Sequence, residues 1–231
     1  MGEDPLADAL YRLVRTGELS PGQRVDQRLI AERLEVSRTP LREALRALAV
    51  DGILTRTPNA GYVVAKLSAA DLLEYYSLRA FLEREVLRAL VWPSEAQLNQ
   101  LRHANDDCRA AAEAGALEQL MAANREFHFT IFGWSTLTIL VKELERVWRV
   151  SDPYRALHLS DTDRRSRVAA DHDQIIAAVE ARANDRLIEL QDAHRATSRQ
   201  LLQDMLAHSL PQSLISLPQS AADLTTRVPA S

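Results

Sequence analysis

Four side chains in the second half of the chain have the types and spacing of a metal site. Asn124 and His128 stand four apart in NREFHFTIF, so on a helix both project from one face. His172 lies in DHDQIIAAV and His194 in QDAHRATSRQ, with turn residues Ala183-Asn184 midway between them. If helices flank that turn, each histidine sits roughly 16 Å from it at 1.5 Å per residue, and the two are level. Three imidazoles and one amide oxygen gathered inside a bundle are a ligand set for zinc or nickel, with a position open to water or a ligand. Histidines on amphipathic helices also serve as hydrogen-bonded packing residues, and the spacing alone does not separate the two readings. Asn124 is a neutral oxygen donor, poorer than a carboxylate, so it reads as a weak ligand or as a partner to the ligands.

A different chemistry is written into VSRTPLREALRAL, residues 36–48. Val36, Leu41, Leu45 and Leu48 recur at helical spacing, while Arg38, Arg42 and Arg46 line the opposing stripe. Ser37 can cap the helix, and Pro40 is tolerated in its first turn. Such a helix can send its first residues, Ser37, Arg38 and Thr39, to base edges and its arginines to phosphates. Taken by itself the stripe reads first as an ordinary solvated basic face.

The surrounding elements decide how these groups are held. Upstream, a Pro21-Gly22 turn precedes a short helix predicted over 26–34. Downstream, the β-rich runs 53–56 and 62–65 flank Pro58-Asn59-Ala60-Gly61, a hairpin pattern and hence a wing. Beyond Lys66 the sequence is rich in Ala, Leu, Arg and Glu, with glycine only at 115 and 133 until 208. That predicts helices over 68–91, 94–114, 117–134, 136–160 (broken near Pro153), 163–183 and 185–208, with Ser68 as a cap. The fold expected is mainly α: an N-terminal winged helix-turn-helix with a small β wing and a C-terminal all-α bundle of about six helices. Domain bounds follow as 1–66 and 67–208, with a disordered tail over 209–231 that is rich in Ser and Pro.

Composition narrows the classes. One cysteine, Cys108, excludes a disulfide framework within the chain, and no apolar run nears the roughly 20 residues needed to span a bilayer, so a cytoplasmic protein without a membrane partner is expected. Residues 1–66 hold 10 Lys+Arg against 9 Asp+Glu, and the remainder 18 against 23. Binding DNA therefore depends on arginines gathered on one face rather than on bulk charge.

Residues 5–66 closely resemble the DNA-binding domain of the GntR family of bacterial transcription regulators. The order of helix, Pro-Gly turn, helix, VSRTPLREAL, Asp-Gly and wing carries the likeness. Residues 71 to about 205, with DLLEYYSLRAFLE, NREFHFTIF and DHDQIIAAVEARANDRLIELQDAH, resemble the FCD effector-binding domain. The resemblance implies a homodimer on a palindromic operator, probed by Arg28, Arg38, Thr39, Arg42 and Gly61, and a repressor released by a small carboxylate effector. It makes His128, His172 and His194 metal ligands, and Arg79 the effector's partner; an ion pair of Arg79 with Glu83 is the competing reading. The chain departs from the family at Asn124, usually Asp, and at Glu35, often Gly, where a left-handed Glu costs roughly 1 kcal/mol. A metal-dependent hydrolase fused to a DNA-binding module is the alternative. It needs a base beside the metal, and Glu126 and Asp171 are expected on neighbouring faces.

Overall fold

The computed structural model of the chain describes residues 4–58, 61–159 and 162–209, without the side chains of 155–159, 162–164 and 197–209. The tail beyond residue 209 and the wing-turn residues 59–60 lie outside the described residues.

Asp4 accepts from the Leu6 N–H and starts α1 (Pro5–Arg15), which buries Leu10, Leu13 and Val14. Asp26 accepts from the N–H groups of Arg28 and Leu29 and starts α2 (Gln27–Arg33). The turn after α2 places Glu35 at φ 53°. Its N–H reaches the Glu32 carbonyl and that of Val36 reaches the Ala31 carbonyl, a left-handed helix ending that glycine serves with less strain. Helix α3 (Arg38–Val50) follows, with Leu41, Ala44, Leu45 and Leu48 buried. Ser37 stands at its N-cap position, yet its side chain makes no capping hydrogen bond, contrary to expectation.

Strands β1 (Leu54–Thr57) and β2 (Gly61–Val64) pair antiparallel, Arg56 opposite Tyr62, one residue shifted from the expected runs. Residues 22–25 add a third edge: Gly22 N–H donates to the Val64 carbonyl and Val25 N–H to the Tyr62 carbonyl.

Six helices follow Val64 among the described residues: α4 (Ala69–Arg88), α5 (Glu95–Glu113), α6 (Leu117–Phe132), α7 (Thr138–Leu159), α8 (Thr162–Glu180) and α9 (Asn184–Ser209). Ser68 and Asp71 close a reciprocal capping box on α4, and Ser94 and Gln97 do so on α5. Helix α5 packs on α6 and α8, and α4 on α7 and α9. The bundle core includes Leu101, Phe127, Phe132, Leu144, Val147 and Trp148.

The expected break at Pro153 is absent, and α7 continues through it. Proline withdraws the N–H that the Arg149 carbonyl would accept from. Packing on both sides of α7 outweighs that loss. Asp152 accepts from the Tyr11 hydroxyl, and the Tyr154 hydroxyl accepts from the Leu67 N–H at 2.7 Å. Burial first, then the Asp152 charge, pushes the Tyr11 pKa well above its ordinary value, so the phenol remains a donor. Val150 of α7 belongs to the core shared by α1, α2, α3 and the wing.

The left-handed turn yields a stability test. Glu35→Gly is expected to raise stability by about 0.5–1 kcal/mol, seen as a higher urea midpoint at unchanged slope. A lower midpoint would show that the Glu35 conformation is not strained.

Candidate functional site

Helices α6, α8 and α9 each deliver one histidine to a common point. One ring nitrogen from each of His128, His172 and His194 lies within 4.8 Å of the others. Ring centroids are 5.0 Å apart for His128–His172 and 5.1 Å for the other two pairs. His128 and His172 are buried, and His194 is partly exposed, so the cluster meets solvent on the α9 side.

Each Nδ1 is held from outside the cluster. His172 Nδ1 is 3.1 Å from Asn105 Oδ1, and His194 Nδ1 is 3.1 Å from Asp171 Oδ2. An oxygen acceptor fixes the proton on Nδ1 and leaves the Nε2 lone pair for an ion, the arrangement that metal-binding histidines use. Asp171 is thereby engaged by His194, and Glu126 is exposed on α6, so neither carboxylate is poised as a base. His128 differs. Its Nδ1 is 3.2 Å from Gln191 Nε2, an N–H donor, which puts the proton of the neutral ring on Nε2. Coordination through that Nε2 requires the Gln191 amide to turn and present its oxygen. With that rotation all three rings would present a nitrogen to a shared divalent ion, whose bonds to imidazole are about 2.0–2.1 Å long.

Asn124 is 1% exposed, one turn from His128 on α6. Its Nδ2 has no hydrogen-bond partner among the described residues, and a buried unanswered donor costs about 1–3 kcal/mol. An incoming acceptor, or reversal of the amide so that oxygen faces the ion, removes that cost.

Arg79 is buried and takes the ion-pair alternative: its Nε and Nη2 donate to Glu83 Oε1 at 3.2 and 3.1 Å. Its guanidinium also lies 4.0 Å from the centroid of the Trp148 ring. Glu83, with no exposed surface, also accepts from Arg195 Nη1 and from Trp148 Nε1 at 3.0 Å, while Gln191 Nε2 lies 3.4 Å from its Oε2. Burial is the largest influence on the Glu83 pKa and raises it. The charges of Arg79 and Arg195 and the indole and guanidinium hydrogen bonds together outweigh it and hold the group ionised. Gln191 thus touches both Glu83 and His128, and links the arginine network to the histidine cluster.

At the other end of the molecule, Arg38, Thr39, Arg42, Arg46, Arg56 and Gly61 line one open groove between α3 and the wing. The four arginines and Thr39 are exposed. Gly61 sits at φ 79°, a conformation that L side chains rarely adopt. Arg28 and Ser37 are exposed but do not line the groove; Arg28 pairs with Glu32 on α2 at 3.0 Å.

Sequence reasoning missed the residues that orient the rings. Asp171 precedes His172, and Gln191 lies one turn before His194, so both were within reach of a search for polar partners. Asn105 arrives from α5, 67 residues from His172, with no sequence signal. Arg46 of the expected stripe lines the groove, and Arg56 joins it beyond the positions singled out for DNA.

Residues 74–208 match the family described as the FCD domain, and residues 4–64 match bacterial regulatory proteins, gntR family. The Nta operon transcriptional regulator of Aminobacter aminovorans is 36% identical over 130 residues, covering 55% of this chain and 60% of the relative. The chain therefore spans less than two thirds of that relative's length. The HTH-type transcriptional repressor GlaR of Escherichia coli (strain K12) is 27% identical over 202 residues, 83% of this chain and 91% of GlaR. The solved structure of E. coli McbR/YncC superposes with a TM-score of 0.76 at 22% identity, covering 87% of this chain and 97% of that one, and shares the fold.

The buried carboxylate gives the test of this arrangement. Glu83→Gln leaves two guanidinium groups without their shared anion, and is expected to cost about 3–5 kcal/mol in a denaturant titration. Because the folded pKa of Glu83 is lowered, its contribution is present above the ordinary Glu range and is lost as pH falls through the folded value. Stability should therefore drop below about pH 4 in the native chain, and the drop should be shallower in Glu83→Gln.

Proposed function

The chain belongs to the GntR family of bacterial regulatory proteins and carries an FCD domain, which makes it a DNA-binding transcriptional regulator rather than an enzyme, and we propose that it is a ligand-released repressor. In this reading residues 1–66 read DNA and residues 67–208 sense the effector. Two copies form a homodimer on a palindromic operator in the cytoplasm, since a two-fold protein matches a two-fold site. A divalent metal, zinc or nickel, is held by His128, His172 and His194 with Asn124 beside them, and a small carboxylate effector binds there.

The observation that carries the reading is that one chain builds both an arginine-lined groove along α3 and a three-histidine cluster whose rings are oriented from outside. The effector's carboxylate has a partner in the arginine network. Arg79 and Arg195 pair with Glu83, and Arg84 and Arg195 with Asp192, so guanidinium groups are gathered beside the cluster. In this reading the effector's carboxylate pairs with Arg79, whose planar guanidinium can meet two oxygens at once. Bound metal supplies a positive centre for the effector's oxygens, and the protein supplies the fixed rings. The hydrolase alternative has no support: the relatives are transcriptional regulators.

Arg38 reads a base, most naturally guanine, and Arg42 and Arg28 hold phosphates, while Ser37, Thr39 and the backbone at Gly61 lie close to the duplex. Arg38→Ala is expected to lose about 1–3 kcal/mol on the operator and relax preference at one base pair per half-site, measured against a randomised operator library. Full retention of sequence preference would remove Arg38 from base reading.

For the metal, elemental analysis should find about one ion per chain after loading with zinc at neutral pH, where imidazoles are largely unprotonated. His172→Ala should abolish it, and Asn124→Asp should tighten it by restoring a charged donor. A wild type that holds no metal under these conditions contradicts the ligand assignment.

A further inference from the structure

We infer that α7 is the element through which the histidine cluster acts on the DNA-reading half, with Trp148 as its input and Tyr11, Arg149, Val150 and Asp152 as its output. This rests on the metal reading above and names how that site is coupled to DNA.

The geometry of residues 147–152 carries the inference. Val147, Trp148, Val150, Ser151 and Asp152 are buried and Arg149 is partly exposed, so this stretch of α7 is enclosed on most of its surface. Trp148 and Val150 are two residues apart, about 200° around a helix, and so face opposite ways. Trp148 faces the histidines: its ring is 5.3 Å from that of His128, and its Nε1 donates to Glu83 at 3.0 Å. Val150 enters the core of the winged helix, where a Cβ built on Gly52 would lie 3.8 Å from it. Arg149 pairs with Asp51 at 3.4 Å and Asp8 at 3.8 Å and lies over the Tyr11 ring, while Tyr11 donates to Asp152. Even the linker is fastened to this helix, through Leu67 N–H and Tyr154.

The input step is a change of hydrogen-bond direction. The Gln191 amide nitrogen faces both His128 Nδ1 and Glu83. Were His128 to hold a metal through Nε2, its ring proton would sit on Nδ1, and the Gln191 amide would have to present its oxygen there. Glu83 would then lose one donor and retain Trp148, Arg79 and Arg195. No atom is gained or lost; a proton changes ring nitrogens and an amide rotates. Trp148 feels the change directly, and Pro153 leaves the Arg149 carbonyl without its helical N–H, so α7 bends most easily at the segment that docks on α1.

The experiment uses the full chain with zinc alone as probe. Backbone hydrogen exchange of α1 is followed by mass spectrometry with and without zinc in the wild type, Trp148→Phe and Tyr11→Phe, and zinc affinity is measured for each. The expected result is at least a 5-fold change in α1 exchange on zinc binding in the wild type, and its loss in Trp148→Phe with zinc still bound. Linkage requires that Tyr11→Phe, which removes one hydroxyl from the seam, shift zinc affinity several-fold. Stoichiometric zinc with unchanged α1 exchange in the wild type overturns the α7 route and leaves the metal site standing. So does a Trp148→Phe protein that responds like the wild type. If Trp148→Phe does not fold, a Tyr11→Phe protein with wild-type zinc affinity is sufficient to reject the route. A wild type that binds no zinc ends the metal reading, and this inference with it.

Discussion

A single carboxylate with no exposed surface, that of Glu83, sets the terms for the helical half of this molecule. Removing an ion from water costs several kcal/mol unless its lone pairs are met, and the chain meets them from three helices. Arg79 comes from α4 itself, Trp148 from α7, and Arg195 and Gln191 from α9. None of these helices can shift by a fraction of a turn without leaving a charge unanswered. The histidine cluster inherits this rigidity, because Gln191 bonds to His128 and Trp148 packs against it.

The two ends of the chain solve different electrostatic problems. In the bundle, positive groups are buried and must be answered by buried anions. Along α3 they are held in water, on a helix whose other face is anchored by Leu41, Leu45 and Leu48. Exposed arginines keep their charge available at little desolvation cost, which suits a polyanion that arrives and leaves.

Much of this was legible in the sequence because it obeys local periodicity. The α3 stripe, the capping of α4 by Ser68 and the left-handed Glu35 follow from neighbours within a few residues. His172 and His194 could be placed level because a single turn separates their helices. What escaped was non-local. Asn105 reaches His172 from a helix with no recognisable signal, and Trp148 meets Arg79 from 69 positions away. Pro153 misled for a physical reason: a lost hydrogen bond predicts a break only when nothing else grips the helix, and here Tyr11 and Leu67 do.

Val150 has one more consequence, for biosynthesis. The winged helix ends at Val64, yet part of its apolar core is supplied by a residue 86 positions later. At about 5–20 residues per second, the ribosome delivers that residue roughly 4–17 s after the wing. Through that interval the nascent DNA-reading unit exists with one wall of its interior unfilled. It reaches its finished packing only once α7 of the sensing half has been made.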